Sequence, residues 1–206
     1  MNKLLTVGAD PFPPYQYYNE NHNVKGSDYE IVKKIFNHAG YKIKVILNEW
    51  KKIEDLVINK KIDAAFQVQY TIEREKKYFF SDLFRNAVTE VVTGNKSLDL
   101  KFYFEIEEKK LSVGVINNYT YGNDVDKIDS SLKKSFDEQN KLLKAINNKI
   151  LDIGIFDKGV KEYLMKKEDF NNIVSIKNLE FIRPLYVIFS SKKLRDSFNR
   201  SLKIFI

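Results

Sequence analysis

The sequence predicts an α/β protein built from two similar lobes. Three observations carry that expectation. Strand-like and helix-like apolar patterns alternate through the first 90 residues, as in parallel sheets joined by helical crossovers. A different unit starts near residue 90. Finally, Asn-Lys-Lys-Ile-Asp-Ala-Ala-Phe (59–66) is echoed by Asn-Asn-Lys-Ile-Leu-Asp-Ile-Gly-Ile-Phe (147–156). In each, an amphipathic helix runs through a basic turn and an Asp into a buried strand.

The first strand is the apolar run Leu4–Gly8, followed by the turn Pro11-Phe12-Pro13-Pro14-Tyr15. A helix starts at Gly26-Ser27-Asp28, with Ser27 or Asp28 expected as its N-cap and Glu30 in its first turn. Ile31, Val32, Ile35 and Phe36 give it one apolar face, and Gly40 stops it as a C′ residue. Lys42–Leu47 alternates as a strand. Ile53, Leu56 and Val57 mark a second helix. Asp63–Val68 is a third strand, and Thr71–Tyr78 a helical turn. Beyond Thr89–Thr93, which is β-rich, lies the charged stretch 95–110. Leu111–Ile116 reads as a strand, Gln139–Ile150 as a helix and Asp152–Phe156 as a strand. Helix 159–166, strand Ile182–Ser190 and helix Leu194–Ile206 complete the chain.

With 206 residues, the chain is long enough to bury a core without covalent staples. It has no Cys, which excludes disulfides, thiol nucleophiles and Cys-ligated metals. Its two histidines, His22 and His38, lack metal-ligand spacing, and any Ser-His-Asp triad would rest on one of them. Net charge is +7, but the lysines are dispersed and the tightest runs, such as Lys60-Lys61 and Lys133-Lys134, are pairs. Nucleic-acid binding is therefore not expected. No apolar run reaches the roughly 18 residues of a membrane span.

Candidate chemistry sits where strands end, since open α/β sheets bind ligands beyond the carboxyl ends of their strands. Arg74 follows the third strand near a helix start, where free N–H groups and a planar donor fork suit a carboxylate. The alternative is a surface arginine in a helical ion pair. Asp157 follows the strand Asp152–Phe156 and could hold an ammonium, or simply cap a helix. One cation and one anion together suit a zwitterion. Phe12 and Trp50 follow the first and second strands and could sandwich a ligand side chain; ordinary core packing is the alternative. Asp10 stands beside Phe12.

These residues resemble the family 3 extracytoplasmic solute-binding proteins, the polar amino-acid receptors of ABC importers. The resemblance rests on 5–15 (Leu-Thr-Val-Gly-Ala-Asp-Pro-Phe-Pro-Pro-Tyr), on 25–32 (Lys-Gly-Ser-Asp-Tyr-Glu-Ile-Val) and on 60–65 (Lys-Lys-Ile-Asp-Ala-Ala). Its most specific part is 71–84, Thr-Ile-Glu-Arg-Glu-Lys-Lys-Tyr-Phe-Phe-Ser-Asp-Leu-Phe. Ser112–Val115 and 151–157 match more loosely. The resemblance implies a type II periplasmic-binding-protein-like flytrap with a ligand cleft between its lobes. Lobe 1 would be 1–90 plus 186–206 and lobe 2 91–185, with hinge strands near 88–93 and 183–189. Arg74 would take the ligand carboxylate and Asp157 its ammonium. Phe12 and Trp50 would flank the side chain, and Thr120 would fall at a carboxylate-binding position. Asp10 would stand where basic-amino-acid receptors place an acid, and Gln67, Gln69 and Tyr70 would join the lining.

Two departures stand out. Gln67 and Gln69 replace small hydroxyl or glycine residues, and Asn118-Tyr119 replaces Gly-Thr. The resemblance implies binding without catalysis, no cofactor, a monomer, and a periplasmic or extracytoplasmic location, with Met1 placed after a removed signal segment. The expected partner is an importer permease. The alternative is a sensing domain linked to a membrane-bound kinase or cyclase, motivated by the chain's end soon after Ser201; a dehydratase-like enzyme is a more remote one.

Overall fold

In the computed structural model, which describes residues 3–117 and 119–206, the chain divides into two compact units. Unit 1 is Met1–Asn86 with Pro184–Ile206, and unit 2 is Ala87–Arg183. The chain crosses twice, inside strands β7 (Arg85–Thr93) and β12 (Phe181–Phe189).

Unit 1 opens with β1 (Lys3–Ala9), the two-residue strands β2 (Tyr17–Tyr18) and β3 (Val24–Lys25), and α1 (Ser27–His38). It continues through β4 (Tyr41–Leu47), α2 (Trp50–Ile58), β5 (Ala64–Gln69), α3 (Ile72–Glu75) and β6 (Phe79–Phe80). It closes with α8 (Lys192–Phe205). β1 lies between β4 and β5 and is parallel to both. Leu185–Phe189 of β12 then adds antiparallel to β5, so the sheet is mixed rather than purely parallel. α1 buries Val32, Ile35 and Phe36, while α8 covers the same core with Phe198 and Leu202. Phe36, Phe189 and Phe198 meet with centroids 4.9–6.2 Å apart.

The expected side-chain cap of α1 is absent. Its N-cap is Gly26, and neither Ser27 nor Asp28 bonds the first turn. Gly26 is at φ 125°, and a Cβ there would stand 2.2 Å from the Tyr15 carbonyl oxygen. The chain thus needs glycine at the cap, which frees Asp28 to turn inward. Gly40 does follow the helix as expected, at φ 87°.

Unit 2 repeats the plan. It contains α4 (Phe104–Glu108), β8 (Val113–Ile116), α5 (Asn123–Asp126), β9 (Lys133–Phe136) and α6 (Gln139–Asn147). β10 (Ile153–Asp157), α7 (Lys158–Met165) and β11 (Val174–Ser175) follow. β8 lies between β9 and β10, parallel to both, and β10 pairs antiparallel with Thr89–Thr93 of β7. β9 reads as surface in the sequence because its residues, Lys-Lys-Ser-Phe, are those of a charged edge strand. Among the described residues, no helix is long and apolar enough to cross a membrane.

The echo between 59–66 and 147–156 extends to hydrogen bonds. Lys60 and Lys149 both take positive φ, at 54° and 56°. Lys61 N donates to Leu56 O and Ile150 N to Ala145 O, both six-to-one closures of a helix end. The Asp63 carboxylate then accepts Thr6 N at 2.8 Å, and the Asp152 carboxylate accepts Ser112 N at 2.8 Å. In each unit, the acid before one parallel strand ties down the neighbouring chain.

Candidate functional site

Arg74 lies in the short helix that follows β5. Thr71 caps that helix, its hydroxyl accepting Arg74 N at 3.1 Å. The Arg74 guanidinium donates through Nη1 to Gln69 O at 3.1 Å and faces Glu54 at 3.5 Å. It also packs over the Trp50 ring, 5.2 Å from its centroid. Glu54 in turn accepts the Tyr78 hydroxyl, and burial with that bond pushes the Tyr78 phenol well up. Among the described residues, the Gln69 hydrogen bond and the Glu54 ion pair leave most of the five N–H donors of a guanidinium for a ligand. The arginine is held in place, and the fork remains usable.

Trp50 opens α2 and supports Arg74, with its indole Nε1 buried and lacking an acceptor among the described residues. Phe12 is buried in the turn after β1, stacked on Tyr15 at 5.8 Å. Gln16 donates to the Asp10 carbonyl at 3.0 Å, bracing that turn. Asp10 is half-buried.

Gln67 is placed by a bulge. It sits at φ 64° inside β5, where the register against β12 shifts. Its amide donates to Asp28 Oδ2 at 2.7 Å, and Arg85 Nε donates to the same oxygen at 3.0 Å. Arg85 also lies over Tyr15, 4.0 Å from the ring centre. Asp28 is only 2% exposed. Its burial raises its pKa, outweighing the lowering by Arg85 and Gln67. Gln69 offers its carbonyl to Arg74, while Tyr70 turns elsewhere, its hydroxyl donating to Glu75 at 2.6 Å.

In unit 2, Asp157 ends β10 and caps α7. Its Oδ1 accepts Gly159 N at 3.0 Å and Val160 N at 3.3 Å. Oδ2 faces Arg183 Nη2 at 3.4 Å, and Arg183 Nε donates to Thr89. The helix-cap alternative thus holds in the structure, with a cation added, and a carboxylate so held stays fixed in direction. Next to Thr89 in the chain, Glu90 is buried with Lys161, which donates to it, and also accepts the hydroxyl of half-buried Ser175 at 2.9 Å. Burial acts to raise the Glu90 pKa, but Lys161, Ser175 and Lys158 outweigh it and hold it below the ordinary range. Thr120 is exposed in the loop after β8, beside half-buried Tyr119; Asn118 lies outside the described residues. At the base of that loop, Tyr121 accepts Ile116 N at 2.9 Å, and burial pushes its phenol up to about 12.

Sequence reasoning missed Asp28, Glu54, Arg85, Glu90 and Arg183. Two of them left a signal: Glu90 and Arg183 interrupt apolar strands, and a charge there needs a partner.

The model of the bacterial extracellular solute-binding proteins, family 3, matches residues 5–203. The chain is 25% identical over 118 residues to the L-cystine-binding protein TcyA of Bacillus subtilis (strain 168). That match spans 56% of this chain and 44% of the relative, less than half its length. Among solved structures, an ancestral arginine-binding protein bound to arginine superposes with a TM-score of 0.83 at 22% identity, covering 100% of this chain and 93% of that one. A histidine kinase sensor domain with similarity to periplasmic binding proteins superposes at 0.85 and 13% identity, covering 99% and 90%. At those identities the likeness is one of fold, the two-lobed type II periplasmic-binding-protein fold. The match along nearly the whole sequence shows more: the chain belongs to the bacterial extracellular solute-binding proteins of family 3.

Proposed function

We propose that this protein binds a polar amino acid outside the cytoplasm and delivers it to the permease of an ABC importer. The observation that carries the reading is Arg74, a braced guanidinium at the end of a parallel strand with donors to spare. Cystine and arginine, named for the relatives above, both carry an α-carboxylate and an α-ammonium. In this reading Arg74 takes the carboxylate and Asp157 the ammonium. Phe12 and Trp50 bound the side chain, and Asp10, Gln67, Gln69 and Thr120 tune its choice, while Tyr70, whose hydroxyl is committed to Glu75, stands apart from them. Strands 88–93 and 183–189 act as the hinge, with closure as the binding step. The protein works as a monomer in the periplasm or its equivalent, and performs no catalysis.

The test is a thermal-shift screen against the twenty amino acids, using protein refolded from denaturant to strip any carried ligand. A ligand at a hundredfold excess over its Kd adds about 2.7 kcal/mol, or roughly 5–10 °C for a chain of this size. A shift with one or two polar amino acids is expected. No shift with any of them would overturn the reading.

A second reading, the sensing module of a membrane-bound kinase or cyclase, is favoured by the fold likeness to a histidine kinase sensor domain. The gene discriminates: a membrane segment and signalling domain encoded beyond residue 206 supports sensing, and a stop codon there refutes it.

A further inference from the structure

We propose that unit 1 carries a second binding site, distinct from Arg74, for a small organic cation of the methylated-ammonium class. The site is a cavity of about 480 Å³, within the size range of small-molecule pockets.

Three of its walls are the rings of Tyr70, Phe80 and Tyr186. Their centroids are 5.3, 6.3 and 5.8 Å apart pairwise, with planes inclined at 65°, 62° and 81°. The three rings pack on one another at steep angles and line the same cavity, so a cation seated against them would lie within about 6 Å of a ring centre, the range of a cation–π contact. Tyr70 is 40% exposed, so aromatic surface here is open to solvent rather than spent on the core.

The charges select the sign of the ligand. Glu75 and Asp82 line the cavity. Glu75 Oε2 accepts the Tyr70 hydroxyl at 2.6 Å, and no described residue bonds Oε1. Asp82 Oδ1 accepts Asn199 at 2.9 Å. Arg195, the cation of the lining, is already engaged: Nε faces Asp196 at 2.6 Å and Nη1 donates to the Phe80 carbonyl at 3.1 Å. The cavity is thus acidic in a chain of net charge +7. A metal ion would need a cage of oxygens, and rings do not supply one. A methylated ammonium uses both features: methyl groups against the rings, and charge toward Glu75. Arg74 turns to Trp50 and Glu54 instead, so the two sites rest on different side chains.

The test is ligand-observed NMR with choline at fixed ionic strength, set against its neutral isostere 3,3-dimethylbutan-1-ol. Saturable choline binding is expected, with the alcohol at least tenfold weaker. Tyr186→Ala should weaken choline about tenfold or more. Glu75→Gln keeps the shape of the site and should weaken it similarly, so the idea stays testable if Tyr186→Ala does not fold. Amino-acid thermal shifts in the Glu75→Gln protein should match the parent, which separates this site from the proposed receptor function. No saturable choline binding, equal binding of the alcohol, or indifference to Glu75→Gln would each overturn the proposal.

Discussion

Replacing Arg74 with Ala should abolish amino-acid binding at a modest folding cost, and both magnitudes follow from its surroundings. A bidentate carboxylate contact consists of two charge-assisted hydrogen bonds, each contributing about 1.5–3 kcal/mol. Their loss corresponds to an affinity decrease between about a hundredfold and ten-thousandfold. On the folding side, the side chains of Arg74 and Glu54 are 20% and 22% exposed, at 3.5 Å, so solvent screens part of their attraction. With the stacking on Trp50 added, the cost is roughly 1–2 kcal/mol, or about 2–8 °C in Tm. Arg74→Lys keeps the charge but not the planar fork, and should lose about tenfold to a hundredfold. Isothermal titration calorimetry with the amino acid found by thermal shift measures the affinities, and circular dichroism melting the stability. An Arg74→Ala protein that melts within this range yet binds within threefold of the parent would refute the assignment of Arg74 as the carboxylate anchor.

Two further outcomes test the structural reasoning. Glu90 has a lowered pKa, so its contribution to stability is present above the ordinary carboxylate range, about 4.3, and is lost as pH falls through its lower folded value. Glu90→Gln should therefore destabilise at pH 7, by leaving Lys161 without its anion, and urea melts should show the gap narrowing below about pH 4.5; a gap constant with pH would contradict the pairing. Gly26→Ala should cost at least about 3 kcal/mol, since its φ of 125° suits glycine alone and its Cβ would strike Tyr15 backbone, whereas Gly40→Ala at φ 87° in open space should cost only about 1–2 kcal/mol. Equal losses in the two variants would undercut that distinction.

The elements with a clear period were legible in the sequence. α1, α2 and α6 each show an apolar face in the sequence, and β1, β5 and β8 are apolar runs bounded by turn residues. What escaped was structure whose cause lies across the chain. β9 forms because β8 offers it a parallel edge, and nothing in Lys-Lys-Ser-Phe alone announces that. Asp28 reads as a helix cap because acids suit that place; its real partners, Gln67 and Arg85, lie 39 and 57 positions away. The positive φ of Gln67 comes from a bulge against β12, which no local pattern encodes. Arg74 was legible as a strand-end cation, but not the Trp50, Glu54 and Gln69 contacts that brace it.

The repeated architecture explains why the candidate residues fall where they do. In unit 1 the order β4-β1-β5 places a helix and turn before β5, and Arg74 follows that strand. In unit 2 the order β9-β8-β10 does the same before β10, and Asp157 ends that strand. The two turns close with the same hydrogen bonds and the same acid, Asp63 in one and Asp152 in the other. The two copies of one motif thus carry opposite charges around the ends of their corresponding strands, Arg74 in the helix after β5 and Asp157 as the last residue of β10. A ligand with a single charged end would use one copy only. In the proposed function one copy answers a carboxylate and the other an ammonium, and that is the physical reason for proposing an amino acid over a simple anion or amine.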